Sequence, residues 1–347
     1  MSIPNKYINV NISTLTIIKV LVVFLLLYFL FLVRDIVLIL FISLVFASAI
    51  NPWVNAMQKK KIPRPVGMLL IYLALAIIIS SIIYLIVPPI VTQIGDLAKN
   101  FPFYLGKLSS YFSTLKGYTN QYESLGGVST ALDSLKTTLS DSASGVFTTV
   151  TGIFGGIFTF FLILVITFYM VVEENSMKKI IWSTVPLAHQ PYALKLIGRM
   201  QEKIGRWLTG QLILCSIVGI TSFLGLYILG VKYALMLGLV AFAAQFIPYI
   251  GPLLGGIPAV FLAFSQSHLL AVFVIIYYYA FHFLESSILV PKVMQKAVGL
   301  NPIVSIAAIL IGFQLAGVVG AILSIPVATS INMVVHDLFG AKKPENI

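Results

Sequence analysis

Long runs of apolar residues restrict this chain more than any other feature of its sequence. They extend from Ile17 to Val33, Ile36 to Ile50, Val66 to Val87, Val146 to Val172, Trp207 to Leu229, Tyr233 to Ile250, Ile257 to Leu284 and Ile303 to Val335. A helix rises about 1.5 Å per residue, so about 20 such residues cross the ~30 Å hydrocarbon core of a bilayer. Hydrophobic residues make up 59% of the chain and charged residues 10%, against about 25% charged in a soluble domain. The expectation is an all-α integral membrane protein with about eight transmembrane helices, the second short and the last too long for one simple crossing. Arg34-Asp35 reads as the tight hairpin tip between the first two.

The net charge of +11 does not point to nucleic acid, because the basic residues cluster beside apolar segments without interleaved aromatics. Retention of positive loops on the cytoplasmic side accounts for them. Lys59, Lys60, Lys61 and Arg64 follow the second run, and Lys178, Lys179, Lys195, Arg199, Lys203 and Arg206 follow the fourth. This orientation makes both termini of a multi-pass protein cytoplasmic, Lys342 and Lys343 agreeing. Lys292 and Lys296 fall on the wrong side of a simple eight-pass count, so either the rule fails locally or one apolar segment is re-entrant. Ala47-Ser48-Ala49 resembles a signal cleavage site but lies too far downstream, and the first run reads as an uncleaved membrane helix. Cys215 is the only cysteine, which excludes an internal disulfide or a cysteine metal cluster.

Six regions follow. Residues 1–89 hold the N-terminal membrane helices, 90–145 an extracytoplasmic segment rich in Ser, Thr, Gly and Tyr, and 146–172 a further membrane helix. In residues 173–206 apolar positions recur at helical spacing, which reads either as an amphipathic helix at the inner interface or as a plain cytoplasmic linker helix. Residues 207–338 form a C-terminal core with broken helices, and 339–347 a cytoplasmic tail.

The most informative stretch runs from Gln245 to Pro258, where three prolines and three glycines interrupt an apolar region. Proline lacks a backbone donor and clashes with the preceding turn, so helical bonding fails there and carbonyls are left free. In a membrane such groups must pack in protein or face a wet cavity, and broken helices commonly build transporter sites. The bland reading is a Gly-Pro turn between ordinary spans. A second interruption, Gly312 to Gly320 followed by Ile325-Pro326, loosely echoes the first. Paired re-entrant hairpins are one reading, close packing through small residues the other.

Candidate substrate or ion ligands are Gln245, Pro248, Tyr249, Gly251, Pro252, Glu285, Asn301, Gln314, Gly317 and Gly320. Glu285, at the end of an apolar segment and three residues after His282, either binds a cation or proton or pairs with Lys292 as a structural clasp. Gln211, Gln245, Asn301 and Gln314 serve either a substrate or interhelical hydrogen bonds. Tyr277-Tyr278-Tyr279 reads as part of an aromatic belt. No phosphate-binding loop, His-Glu-x-x-His or Gly-x-Ser-x-Gly element occurs, and paired intramembrane Asp residues are lacking, so the sequence offers an enzyme no catalytic set and implies no cofactor or metal.

The run Phe246-Ile247-Pro248-Tyr249-Ile250-Gly251-Pro252 resembles the hallmark of the autoinducer-2 exporter family of permeases. Leu229 to Leu235, Glu285, Leu289 to Met294, Val298 to Pro302 and Gly317 to Pro326 are similar to its flanking blocks. Asn301 departs from the histidine more usual before that proline. The resemblance implies an eight-helix secondary transporter of the bacterial cytoplasmic (inner) membrane with re-entrant hairpins, assembled as a homo-oligomer such as a pentamer, that moves a small molecule or ion across the lipid membrane by an elevator-like step. Export of a small polar solute such as autoinducer-2 is the leading expectation. A sodium/proton antiporter is the alternative within transport, and a non-transporting membrane scaffold the alternative outside it.

Overall fold

Alternating stretches of apolar sequence and short polar breaks fold into helices throughout the described part of the chain. The computed structural model describes residues 14–118, 146–173, 176–294 and 299–339, and no strand occurs among them. The rest of the expected extracytoplasmic segment (119–145), Lys296 and the basic C-terminal tail lie outside the described residues.

The helices are α1 (Thr14–Leu32), α2 (Arg34–Lys59), α3 (Arg64–Tyr118), α4 (Val146–Val172), α5 (Ser176–Thr184) and α6 (Gln190–Ile228). They continue as α7 (Ala234–Ala244), α8 (Gly251–Gln266), α9 (His268–Leu284), α10 (Val290–Met294) and α11 (Pro302–Phe339), with a π-helical turn over Glu285–Leu289 between α9 and α10. Five of the described helical stretches are long and apolar enough to cross a membrane, while α7 and α8 are shorter apolar helices. Their lipid-facing surfaces are rich in exposed aliphatic residues such as Leu73, Ile77 and Ile276, as a hydrocarbon solvent permits.

Three expectations are corrected in detail. Arg34-Asp35 is not a hairpin tip. Val33 alone separates α1 from α2 at φ −96° and ψ 13°, and the bonds Val33 N–H to Phe29 O and Val37 N–H to Val33 O carry the chain forward. These near-helical angles give no reversal. Second, the single span expected from Ile257 to Leu284 divides at Ser267, which is extended (φ −159°, ψ 139°), and α8 folds back to pack on α9. Third, the interruption from Gln245 to Pro258 is narrower than its composition implies. Only residues 245–250 leave helical structure, whereas Pro252 opens α8 and Pro258 sits inside it. A proline in the first turn costs no hydrogen bond. The boundary expected at residue 89 is not marked by any break, since α3 continues to Tyr118.

Helix α11 reverses within itself. Ala316 (φ −143°, ψ 27°) and Gly317 (φ 58°, ψ −143°) leave helical geometry, and Gly317 occupies a region essentially reserved for glycine. The two arms then meet so closely that a Cβ added at Gly312 would collide with the Gly320 carbonyl, and one at Gly320 with the Gly312 carbonyl. In a straight helix residues eight apart are separated by about 12 Å, so this contact requires an antiparallel helical hairpin.

Packing proceeds through three apolar clusters. Val54, Met68 and Val171 join α2, α3 and α4, and Arg64 ties the same corner by donating to the Val171 carbonyl, Asn55 Oδ1 and Gln58 Oε1. Leu226, Leu237, Leu262 and Val274 join α6 to α9. Between these groups Val45, Trp207, Leu208, Ala321 and Ile325 join α2, α6 and the α11 hairpin. The far part of α3 also reaches the second group, where Gln93 Oε1 accepts from Met236 N–H at 3.1 Å. Substituting Gly320→Ala puts a methyl against the Gly312 backbone, and overpacking of this kind costs about 1–3 kcal/mol. The expected outcome is a lower unfolding midpoint in detergent, measured by tryptophan fluorescence, while an Ala at the open position Gly156 leaves it unchanged.

Candidate functional site

The turn between α7 and α8 is built from Gln245 to Ile250. Gly251 N–H bonds to Ile247 O and Ile250 N–H to Pro248 O, closing the chain tightly on the end of α7. Gly251 is required by this closure, because a Cβ there would lie 2.7 Å from Ala244 O and 2.8 Å from Gln245 Cα. Tyr249 is left-handed at φ 66° and over half exposed at the tip. A non-glycine residue in that conformation stores strain of about 1–3 kcal/mol, a pattern concentrated at functional sites.

Against this turn lies Glu285, only 3% exposed and the first residue of the π-helical turn. Such turns widen the backbone and frequently occur at functional positions. Pro291 follows within α10. Having no N–H, it withdraws one donor from the preceding turn, which is consistent with the change in winding there.

A polar chain holds the carboxylate. Gln245 Nε2 donates to Glu285 Oε1 at 2.5 Å, and Gln211 Nε2 of α6 donates to the Gln245 carbonyl at 2.5 Å. His282 Nδ1 lies 3.6 Å from Glu285 Oε2. Gln211 and Gln245 are 2% and 4% exposed, so the chain runs through the interior, where each unmet polar group is costly. Gln245 Oε1 is buried there with no hydrogen-bond partner. The clasp between Glu285 and Lys292 is not formed; among the described residues Glu285 pairs with His282 instead.

The chain faces a cavity of about 810 Å³ whose wall includes Gln211, Gln245, Tyr249, Glu285, Lys292 and Ser305. Of the residues singled out in the sequence, Gln211, Gln245, Pro248, Tyr249, Pro252, Glu285 and Lys292 meet at this cavity. Gly251 lines a small void on the other side of Glu285. The remainder are elsewhere. Asn301 begins α11, its Oδ1 accepting from Ile303 N–H at 2.9 Å, as a helix-capping residue does. Gln314 is exposed on the α11 hairpin, and Gly317 and Gly320 form its tip and packing contact. Trp207, His282 and Ser305 also line the cavity. Their signals were weak: Trp207 and Gln211 share a helix face at i,i+4, and His282 precedes Glu285 at i,i+3.

The description "AI-2E family transporter" matches residues 17–340. The chain belongs to this family. Among its relatives, "Putative transport protein YrrI" of Bacillus subtilis (strain 168) is 28% identical over 88% of this chain and 88% of its own length. YueF of the same organism, also named a transport protein of that kind, is 31% identical over 80% of this chain and 77% of its own. The "AI-2 transport protein TqsA" of Escherichia coli (strain K12) is 23% identical over 87% and 86%. Membership of the AI-2E family agrees with the reading of Phe246 to Pro252, and in this member that motif forms the α7–α8 turn beside Glu285.

Replacing Gln245 with Leu removes the donor to Glu285 and leaves a buried carboxylate short of a partner, a loss of about 1.5–3 kcal/mol. We expect a lower unfolding midpoint for Gln245→Leu in detergent. Adding Glu285→Leu recovers part of that loss, because removing both partners spares the desolvation penalty. A double-mutant cycle on fluorescence-detected unfolding checks the coupling.

Proposed function

We propose that this protein is a secondary transporter of the bacterial cytoplasmic membrane that moves a small polar solute through the cavity beside Glu285. The observation carrying this reading is a buried carboxylate, held by a hydrogen-bonded amide chain and open to a cavity of about 810 Å³. An ionisable group at membrane depth is expensive and is retained for coupling or transport. The cavity wall sets hydroxyls, the Gln211 and Gln245 amides and the Lys292 ammonium among apolar side chains, a mixture suited to a hydroxylated solute of modest size. Autoinducer-2 belongs to that class, and a relative's name refers to it.

The α7–α8 turn and the α11 reversal are read as the tips of re-entrant hairpins flanking the substrate path. Their short apolar arms support this reading, since α7 has 11 residues and α8 has 16, fewer than a full crossing needs. Movement of these hairpins against α2, α3 and α4 is the elevator-like step, in a homo-oligomer with both termini cytoplasmic. Glu285 is the ion-sensing residue, and the downhill flow of a coupling ion supplies the work.

A sodium/proton antiporter is the second reading. It is favoured by the unpartnered Gln245 Oε1 close to the carboxylate, because two oxygens of this kind suit a hard cation.

Sealed liposomes containing purified protein distinguish the readings under imposed proton and sodium gradients, with and without autoinducer-2. Gradient-driven solute efflux supports the exporter, sodium-dependent proton movement without solute supports the antiporter, and no flux in any condition overturns both. For whichever flux is found, Glu285→Gln is expected to reduce it about 10–100-fold, the equivalent of about 1.5–3 kcal/mol, and to flatten its pH dependence. Unchanged flux and pH dependence in well-folded E285Q protein removes Glu285 from the mechanism.

A further inference from the structure

A second cavity, of about 570 Å³, lies between α2 and α6, with Val293 of α10 also in its wall. It sits beside the closest crossing in this part of the molecule, where Gly205 meets the backbone of Ser48 so tightly that a Cβ would strike its carbonyl. Pro52 lies inside α2 and has no N–H, so the Ser48 carbonyl lacks its ordinary helical donor. The cavity is separate from the one beside Glu285, and the proposed transport path does not use it.

Its chemistry changes along α6. Lys195, Arg199, Glu202, Lys203 and Arg206 punctuate the first half of that helix, and no charged residue follows Arg206 up to Ile228. Arg206 therefore marks the level at which α6 passes from headgroups to hydrocarbon. At the same level Trp53 of α2 exposes 66% of its surface, as an indole at a membrane interface does. Ala49, Ile213 and Val293 supply the apolar part of the wall.

Two opposite charges stand at the polar part. Arg206 Nη2 and Glu202 Oε1 are 2.6 Å apart, with more than half of each side chain exposed. Such a surface i,i+4 pair is worth only about 0.3–0.5 kcal/mol, so a ligand that satisfies both groups displaces it at little cost. A cation and an anion one helical turn apart match a headgroup carrying both a phosphate and an ammonium.

We propose that this cavity binds one phospholipid of the phosphatidylethanolamine class. The Arg206 guanidinium takes the phosphate through paired N–H donors. The Glu202 carboxylate accepts from the primary ammonium, which has three donors to give. The ester region rests on the Trp53 indole, and an acyl chain leaves past Ile213. A choline headgroup has no N–H to offer Glu202, and a glycerol headgroup brings no cation to it, so both bind less well.

The test uses the full chain, purified and stripped of lipid in detergent, with an equimolar mixture of phosphatidylethanolamine, phosphatidylcholine and phosphatidylglycerol. Native mass spectrometry reads the lipid retained per chain. We expect one phosphatidylethanolamine, preferred about tenfold over the others, as the loss of one charge-assisted hydrogen bond implies. Glu202→Gln abolishes that preference while phosphate binding remains, and Arg206→Gln weakens all three lipids. The exchange Glu202→Arg with Arg206→Glu keeps an intrahelical ion pair, and so the helix, but reverses its polarity and loses the preference. Glycerophosphoethanolamine, which has the headgroup without acyl chains, does not compete. Equal retention of the three lipids by the unmodified protein overturns the proposal, as does an unchanged preference in E202Q or in the exchanged pair. Full competition by the soluble headgroup also overturns it, by making the site one for a free phosphoester.

Discussion

A carboxylate withdrawn from water needs a partner or hydrogen bonds to remain stable, and the partners of Glu285 come from elements far apart in sequence. The Gln245 side chain comes from the end of α7, and Gln211 of α6 holds the backbone carbonyl of the same residue. His282 approaches from the preceding turn of α9. These contacts hold only if α7 stops where it does, because one more helical turn would carry the Gln245 carbonyl into intrahelical bonding and away from Gln211. The Pro248–Gly251 turn is therefore tied to the carboxylate by bonding as well as by proximity. Burial of Glu285 and interruption of the helix depend on each other.

The two helical hairpins solve their reversals differently. Between α7 and α8 the turn spans six residues, tolerates a left-handed Tyr249 and leaves side chains on the cavity. In α11 the reversal is compressed into Ala316 and Gly317, and glycines on both arms let the backbones touch. The first arrangement leaves room for side-chain chemistry, whereas the second minimises cross-section. The cavity accordingly draws polar atoms from the α7–α8 turn and the π-helical turn, with Gln211 of α6, His282 of α9 and Lys292 of α10 beside them. From α11 it takes Ser305 and Ile325, which lie away from the hairpin tip.

What could be read from the sequence follows from how each feature is encoded. Apolar runs such as Val146 to Val172 reappear with the same limits as helix α4, because in a hydrocarbon solvent the helix is the one local solution for an unbroken run. Prolines and glycines located the break near Pro248 but overstated its length, since Pro252 and Pro258 are accommodated within α8. The break at Ser267 carries neither residue type, and only the polar stretch Ser265 to His268 hinted at it. At Arg34 the error ran the other way, because charges alone do not turn a chain whose backbone angles remain helical. Five of the site residues named from the Gln245 to Glu285 region converge on the cavity, because the break that ends α7 sets the motif against a carboxylate 40 residues further on. Gln314 and Asn301 do not: the glycines from Gly312 to Gly320 marked the α11 interruption without showing that Gln314 stays outside the cavity, and the capping role of Asn301 was not written in spacing. The π-helical winding that sets Glu285 against Gln245 depends on tertiary packing and left only Pro291 as a trace.

Helix α6 connects these levels of organisation. Its 39 residues begin in a charged half, where Arg199 and Tyr192 engage Asp337 at the far end of α11. They then cross α2 at Gly205, present Gln211 to the α7 turn, and meet α7 again where Gly219 and Gly238 pack backbone to backbone. Each close approach uses a glycine, so helix separation is set by backbone contact rather than by adjustable side chains. A hydrogen bond such as Gln211 to Gln245 depends on that fixed separation, since its geometry tolerates only a few tenths of an ångström. Rigid crossings at Gly205 and Gly219 thus place the amide that positions Glu285. Any movement of the α7–α8 turn during transport must carry this part of α6 with it or break the amide chain.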